Sequence, residues 1–170
     1  MKDFFDLAAN RYSVRKYKAQ PVEAEKMAKI LEAGRIAPTA HNNQPQRIKV
    51  ITEAADLEKM DVSTRCRFGA PAALLICYDK DVAWERPFDG ARSGEVDVSI
   101  VVTQMMLQAH ELGLGTCWVM FFDPAKTVEA FALPENIIPV AFLPLGYPAE
   151  DAAPSPRHAE RFPLDELMLK

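Results

Sequence analysis

Apolar residues recur along the chain in runs whose spacing predicts alternating helices and strands. The clearest predicted helix spans residues 95–112, where apolar side chains recur every three or four positions and Gly113 follows as a stop. Further apolar residues around the same segment predict that this helix is buried nearly all round. Residues 72–78 form a continuous apolar run, which is typical of a strand buried on both faces. The other predicted elements are helices at 4–9, 22–33 and 124–131, the last capped by Asp123, and strands at 48–52, 116–121 and 138–145.

The order of these elements predicts an α+β or mixed α/β sandwich of helices around a sheet. Residues 80–94 are polar and predict an exposed excursion. The tail 146–170 contains four prolines and is expected to be extended until about Leu164. Such ends often need a partner surface to become ordered, which suggests a dimer.

Length and composition fit one soluble domain over residues 1–170. A net charge of −4 argues against a nucleic-acid-binding surface. The longest apolar stretches, 70–78 and 137–145, are about half the length of a membrane span. Three cysteines cannot all pair with one another, and the first residues include acids where a signal peptide would be apolar, so we expect a cytoplasmic protein.

Residues 11–18 form a basic segment without an acidic residue, although acids outnumber bases overall. In an extended conformation Arg11, Ser13 and Arg15 would share one face. Two guanidinium groups flanking a hydroxyl suit a phosphate monoester. The alternative is a solvated basic surface, which is equally compatible with this segment alone.

Residues 37–45 place several neutral polar side chains between two prolines. Thr39, Asn42, Asn43 and Gln44 offer donors and acceptors that suit a polyol chain or the edge of a heterocycle. A simple turn is the favoured alternative for this segment alone.

Residues 113–118 contain a GxG that follows a predicted helix and lacks the third glycine of a dinucleotide fingerprint. This excludes a Rossmann site and favours a helix-to-strand turn, where a planar ring could approach the backbone.

Other catalytic constellations are not apparent in the sequence. The three histidines are widely spaced, so we expect no metal site. Cys117 lies in an apolar segment and is interpreted as a core thiol rather than a nucleophile. No side chain stands out as an acid, base or nucleophile, which suggests that a bound cofactor carries the chemistry.

Taken in order, these segments resemble the nitroreductase superfamily of FMN-dependent oxidoreductases. Arg11-Tyr-Ser-Val-Arg15 is similar to its R-x-S-x-R motif, and residues 37–45 are similar to its A-P-S-x-x-N-x-Q-P-W loop. Similar segments follow at 69–71, 113–123, 144–148 and 161–164, so the resemblance covers nearly the whole chain.

The resemblance implies a nitroreductase-like α/β sandwich with a mixed, mainly antiparallel central sheet, in an intertwined homodimer with FMN at the interface. The tail would contact the partner subunit. The FMN-binding residues implied by position fall into three groups. The phosphate and ribityl group is Arg11, Ser13, Arg15, Arg157 and Arg161; the loop from the partner subunit is Pro38, Thr39, Ala40, Asn42 and Gln44; the group facing the ring is Trp118, Met120 and Phe121.

The implied activity is ping-pong electron transfer from NAD(P)H through FMN to nitro compounds, quinones or similar small electrophiles. The alternatives are other flavin chemistry on the same scaffold, such as reductive dehalogenation or flavin fragmentation, and a flavin-storage module without turnover. A cation near N1 of the ring would stabilise reduced flavin, and Arg65 and Arg67 are candidates. The chain departs from the family loop at Thr39, where Ser is usual, and at Gln46, where Trp is usual.

Overall fold

The fold, described by a computed structural model over residues 3–169, consists of helices on both faces of a small sheet. The helices are α1 (Phe4–Asn10), α2 (Ala24–Arg35), α3 (Ala54–Ser63), α4 (Gly94–Glu111) and α5 (Pro124–Phe131), and the strands are β1 (Gln46–Ile51), β2 (Ala72–Asp79), β3 (Gly115–Thr116) and β4 (Ile137–Gly146). Short 3₁₀ turns occur at Ala40–Asn42, Pro156–Ala159 and Leu164–Glu166. The predicted α+β class is confirmed.

The four strands form one sheet in the order β1-β2-β4-β3, and every neighbouring pair is antiparallel. Within residues 3–169, parallel pairing is limited to an isolated bridge between Ser13 and Thr116. That bridge attaches the N-terminal basic segment to the edge of the sheet.

Strand β2 lies at the centre of the fold, as its continuous apolar run predicts. Leu74 and Ile76 point to the face covered by α2 and α4, whereas Leu75 and Cys77 point to the opposite face. Both faces of β2 are therefore buried, and the two resulting cores share this one strand.

Helix α4 packs on the sheet more closely than its sequence suggests. A Cβ atom added to Gly94 would lie 2.2 Å from the Tyr78 ring, so glycine is needed where the helix begins. The prediction of burial nearly all round is wrong for the single chain, because Val96 is 62% exposed and Ile100 is 39% exposed. One apolar face of α4 is therefore left open along its first turns.

The predicted strand at 116–121 is much shorter in the structure. Strand β3 ends at Thr116, and pairing resumes only at a bridge between Val119 and Phe142. The residue of β4 opposite the gap is Pro144. Its carbonyl accepts a hydrogen bond from the Cys117 N–H, but proline has no N–H with which to donate the second hydrogen bond of the pair. The ladder is interrupted there, and Met120 and Phe121 leave the sheet.

Two other segments differ from expectation. Helix α3 has no predicted counterpart because half of its residues are polar and its buried positions, Met60 and Ser63, include only one apolar side chain. The tail, expected to be extended until about Leu164, makes a 3₁₀ turn earlier, at Pro156–Ala159, where Ser155 accepts a hydrogen bond from the Arg157 N–H. Between residues 3 and 169, no helix is both long and apolar enough to cross a bilayer.

Replacement of Phe142 by Ala tests the core beneath β4. Phe142 is fully buried and meets Phe122 edge-on, with ring centroids 5.5 Å apart. We expect Phe142→Ala to lower the free energy of unfolding by about 3–5 kcal/mol, measured by urea denaturation. Phe88→Ala, at a 93% exposed phenylalanine, is the control and should change it by less than about 0.5 kcal/mol. Equal losses in the two variants would contradict this assignment of the core.

Candidate functional site

The first part of the basic segment, residues 11–15, is held in an extended conformation against β3. The Val14 N–H donates to the Thr116 carbonyl over 2.9 Å, and the Val14 side chain is buried. A Cβ atom on Gly115 would lie 2.4 Å from a Val14 methyl group, so this approach requires glycine. Because side chains alternate along an extended chain, burial of Val14 leaves its neighbours Ser13 and Arg15 on the opposite side.

The arginines of the chain divide into two sets by their ion pairing. Five form ion pairs with carboxylates: Arg35, Arg47, Arg67, Arg86 and Arg92. The other five form no ion pair with any residue between 3 and 169: Arg11, Arg15, Arg65, Arg157 and Arg161. All four arginines that the resemblance assigns to the FMN phosphate belong to this second set.

Two of these arginines, Arg11 and Arg15, lie near Cys117 at the edge of the sheet, and a third, Arg161, lies near Arg11. Burial lowers the pKa of Arg11, and the nearby Arg161 guanidinium lowers it further. Burial raises the pKa of the Cys117 thiol, whereas Arg15, the Ser13 hydroxyl and Arg11 oppose this rise because they lie close to it. The structure therefore places Arg11, Ser13 and Arg15 close to Cys117, with Arg161 near Arg11. Arg157 lies next to Arg161 in a separate surface depression of the tail.

The second predicted segment, residues 38–44, forms a tight loop with unusual backbone angles. His41, Asn42 and Gln44 have φ values of 52°, 55° and 52°, in the left-handed region. Non-glycine residues adopt this region at a cost and cluster at functional sites. The loop is closed internally by the Gln44 N–H, which donates to Thr39 Oγ1 over 3.0 Å. Pro38, Asn42 and Gln44 are exposed, and Thr39 and Ala40 are half-buried.

Contacts from outside the loop were not apparent in the sequence. Asp97 Oδ1 of α4 accepts from the Ala40 N–H over 2.8 Å, and the Asn43 side chain donates to the Val82 carbonyl over 3.0 Å. The His41 and Trp84 rings stack with centroids 5.3 Å apart and planes inclined by 16°. Trp84 precedes a short hairpin, closed by the Arg92–Glu85 ion pair, within the excursion predicted at 80–94.

The third segment, residues 118–121, is partly exposed where it leaves the sheet. Trp118 is half-buried against the core, whereas Met120 and Phe121 are 63% and 64% exposed. The Thr64 hydroxyl donates to the Phe121 carbonyl and fixes this turn. Arg65 and Arg67 are the two candidates for a cation near N1 of the flavin. The Arg65 guanidinium lies 5.1 Å from the Phe121 ring centroid, whereas Arg67 donates to Asp61 and to the Ala70 carbonyl.

The structure does not bring all three segments together within one chain. Arg11 and His110 border the same small pocket at the end of α4, while the Ala40 loop is attached to Asp97 at its beginning. His110 lies thirteen positions after Asp97 on the helix, a rise of about 20 Å. The loop and the basic segment therefore lie at opposite ends of α4.

No group of three or more potential metal-ligating side chains occurs among residues 3–169. All three cysteines are free thiols, with Cys77 and Cys117 buried and Cys66 half-buried.

Comparison with known proteins assigns this arrangement to a family. Residues 8–66 and 62–147 match the sequence model of the Nitroreductase family, and the chain belongs to that family. It is 44% identical to a nitroreductase family protein of Clostridium difficile, whose crystal structure aligns with a TM-score of 0.93 over 99% of this chain and 98% of that chain.

Two further relatives are informative. A protein of Desulfovibrio desulfuricans, described as a nitroreductase and crystallised in complex with FMN, is 29% identical, with a TM-score of 0.82 over 100% of this chain and 98% of that chain. A Methanothermobacter thermautotrophicus protein that carries the name NADH dehydrogenase/NAD(P)H nitroreductase is 32% identical over 177 residues, covering 99% of this chain and 87% of that protein.

Alkylation of the three thiols tests the burial of the segment beside the arginines. Burial raises the pKa of Cys77 to about 12 and also raises the pKa of Cys117. At pH 8 about one Cys77 thiol in ten thousand would then be a thiolate, the form that reacts with iodoacetamide. We expect half-buried Cys66 to be labelled first in the native protein, as measured by peptide mass spectrometry. Unfolded protein, in which all three should react, is the control, and equal labelling of the native thiols would contradict the prediction.

Proposed function

We propose that this protein is an FMN-dependent oxidoreductase that transfers electrons from NAD(P)H to small electrophiles such as nitro compounds or quinones. The observation that carries the proposal is the set of arginines without carboxylate partners beside residues 117–121. Membership of the nitroreductase family and the FMN complex of the Desulfovibrio relative support it.

The phosphate of FMN would bind to Arg11, Ser13 and Arg15, with Arg161 and Arg157 reaching it from the tail. Arg11 is half-buried and lies near a second guanidinium, so it is both partly desolvated and repelled by a like charge. A phosphate monoester carries close to two negative charges and offers several acceptor oxygens, which would relieve both effects. The residues present therefore fit this group.

The isoalloxazine ring would lie against residues 118–121, where Trp118, Met120 and Phe121 border the space. When bound, FMN supplies a ring that accepts hydride from a nicotinamide and then reduces an acceptor. Arg65, held over the Phe121 ring, is the better of the two cationic candidates for the N1 side, because Arg67 already has partners. The side chains of this chain would hold and orient the reactants.

The binding site would be completed by a second copy of the chain. Pro38, Thr39, Ala40, Asn42 and Gln44 would contact the ring from the partner subunit, since their loop lies about 20 Å along α4 from the basic segment. An exposed apolar face on α4, which includes Val96 and Ile100, supports a homodimer in which this helix is buried between subunits. The exposed apolar residues of the tail, among them Phe162 and Leu167, support its contact with the partner.

Donor and acceptor would use the same space over the ring in turn, which is a ping-pong scheme. The sequence has no second nucleotide-binding motif, and this suits a nicotinamide that binds briefly. The hairpin after Trp84, with Phe88 at its exposed tip, would shape the acceptor side of the pocket. Three free thiols fit a reducing compartment, and we place the enzyme in the cytoplasm.

Spectroscopy of the purified protein tests the proposed function directly. We expect the absorbance bands of oxidised flavin at one FMN per chain, and their bleaching on anaerobic titration with NADH or NADPH. Addition of a nitroaromatic or a quinone should restore the bands. Bound flavin that no nicotinamide reduces would favour a storage module, and a colourless protein that takes up no added FMN would refute the proposal.

Removal of the basic pair tests the phosphate assignment. We expect Arg11→Ala with Arg15→Ala to weaken FMN binding by 10-fold or more, because each charged contact contributes about 1.5–3 kcal/mol. The measurement is a fluorescence titration of apoprotein with FMN. The matched control is Arg35→Ala with Arg86→Ala, which removes the same charge from two ion-paired surface positions. Unchanged affinity in the first variant would contradict the assignment.

Mixing of two defective variants extends this test to the shared site. One partner carries the Arg11 and Arg15 substitutions, and the other carries Asn42→Ala with Gln44→Ala. In a mixed dimer one site would hold both defects and the other would be intact, so co-refolding should restore tight FMN binding that neither variant shows alone. Without recovery in confirmed mixed dimers, the site would lie within one chain.

A further inference from the structure

The most unexpected side chain near the proposed site is a buried carboxylate on α4. Asp97 is only 2% exposed, and none of the ion pairs among residues 3–169 includes it. Burial of an ionised carboxylate without a cation is costly unless hydrogen bonds and dipoles replace the lost water. Its position in the first turns of α4 provides one such compensation, through the helix dipole.

Two hydrogen bonds provide the rest, one to each carboxylate oxygen. Oδ2 accepts from the Ser93 hydroxyl over 2.7 Å, within the helix start. Oδ1 accepts from the Ala40 N–H over 2.8 Å, outside the helix and 57 residues away in sequence. The bond from Ser93 therefore belongs to the start of α4 itself. The bond from Ala40 instead joins α4 to the loop that would contact the flavin ring.

The loop needs an anchor of this kind because its backbone is strained. Three of its residues, His41, Asn42 and Gln44, have left-handed φ values, each of which costs about 1–3 kcal/mol outside glycine. Ala40 immediately precedes the first of them. The bond from Asp97 therefore fixes the entry to the strained turn relative to α4, while the Asn43 bond to Val82 fixes its far side.

We propose that Asp97 is a positioning residue: by accepting the hydrogen bond from the Ala40 N–H, it fixes the position of the 38–44 loop along α4. It thereby places the polar groups of the loop against the flavin. This inference rests on the proposed function, because the loop matters to FMN only if it contacts the ring. Asp97 acts through Ala40 and touches neither cofactor nor substrate. The role is separate from the favourable interaction of a carboxylate with the helix dipole, which Glu95 in the same first turn also provides.

Four substitutions separate positioning of the loop from stabilisation of the helix start. Asp97→Ala removes both hydrogen bonds, and Asp97→Asn keeps an oxygen acceptor for the Ala40 N–H. Glu95→Ala is the matched control, because it removes a carboxylate from the same first turn at an exposed position. Ser93→Ala removes only the hydrogen bond from the Ser93 hydroxyl to Asp97 and leaves the bond from the Ala40 N–H in place.

Hydrogen exchange measured by mass spectrometry reports the loop without any cofactor. We expect a peptide covering residues 38–45 to exchange at least about 10-fold faster in Asp97→Ala than in the wild type, with Glu95→Ala and Ser93→Ala unchanged. Peptides from the middle of α4 should exchange alike in all the variants. Wild-type exchange of the loop in Asp97→Ala would overturn the proposal.

FMN titration and the spectrum of bound flavin then report the consequence for the site. Asp97→Ala should weaken FMN binding by about 10-fold or more and alter the visible circular dichroism of the bound ring at saturation. Asp97→Asn should bind FMN to within about 3-fold of the wild-type affinity, because it keeps the acceptor for the Ala40 N–H. If Asp97 acted only through its negative charge, Asp97→Asn would bind FMN as weakly as Asp97→Ala. A wild-type chain that takes up no FMN would overturn the proposed function, whereas wild-type affinity and dichroism in Asp97→Ala would overturn the Asp97 proposal alone.

Discussion

The packing of α4 on the central sheet is the constraint on which the rest of the structure depends. The helix begins where Gly94 meets the Tyr78 ring and ends at Glu111, and Gly113, with a φ of 79°, then turns the chain into β3. The strained loop is attached near the first end, and the basic segment lies beside the second. A rigid helix therefore sets the spacing between two groups of polar residues that come from distant parts of the sequence.

Charge pairing explains why the basic segment is available for an anion. Elsewhere on the surface five arginines are neutralised by carboxylates, two of them by an acid three residues away, as in the Arg35–Glu32 and Arg86–Asp89 pairs. Residues 8–22 contain no acid, and the segment is held by the Val14 backbone bond to Thr116 and by ion pairs of Lys16 and Lys18 with Asp151 and Glu150 of the tail. The lysine charges are thereby compensated, whereas Arg11 and Arg15 form no ion pair with a carboxylate among residues 3–169.

Much of the fold could be predicted from the sequence because its main elements have strong patterns. The apolar run of β2, the periodic pattern of α4 and the Asp123 cap of α5, whose carboxylate accepts from the Lys126 N–H, all follow from local rules. Helix α3 was missed because its few buried residues give little periodicity. The end of β3 was missed because it depends on Pro144, a residue 28 positions further along the chain.

The site shows the same division between local and distant information. The basic residues at 11–15 could be selected because their side chains alternate in a short extended segment. The links from Asp97 to Ala40 and from Thr64 to Phe121 join residues 57 positions apart, and no spacing rule indicates them. The stacking of His41 on Trp84 is similarly a product of tertiary structure. The sequence therefore indicates candidate ligand-binding residues, whereas the contacts that hold those residues in place are visible only in the structure.

The short edge strand has a consequence for how the protein associates. An exposed edge with a long row of free amide and carbonyl groups invites strand addition by other chains and, ultimately, aggregation. Here β3 is only two residues long, and the opposite edge, β1, presents the cationic side chains of Arg47 and Lys49. Both edges are therefore poor templates for intermolecular β-pairing. The exposed apolar residues of α4 and the tail are surfaces of a different kind, and a symmetric pair formed through them would be closed rather than continue as a fibre.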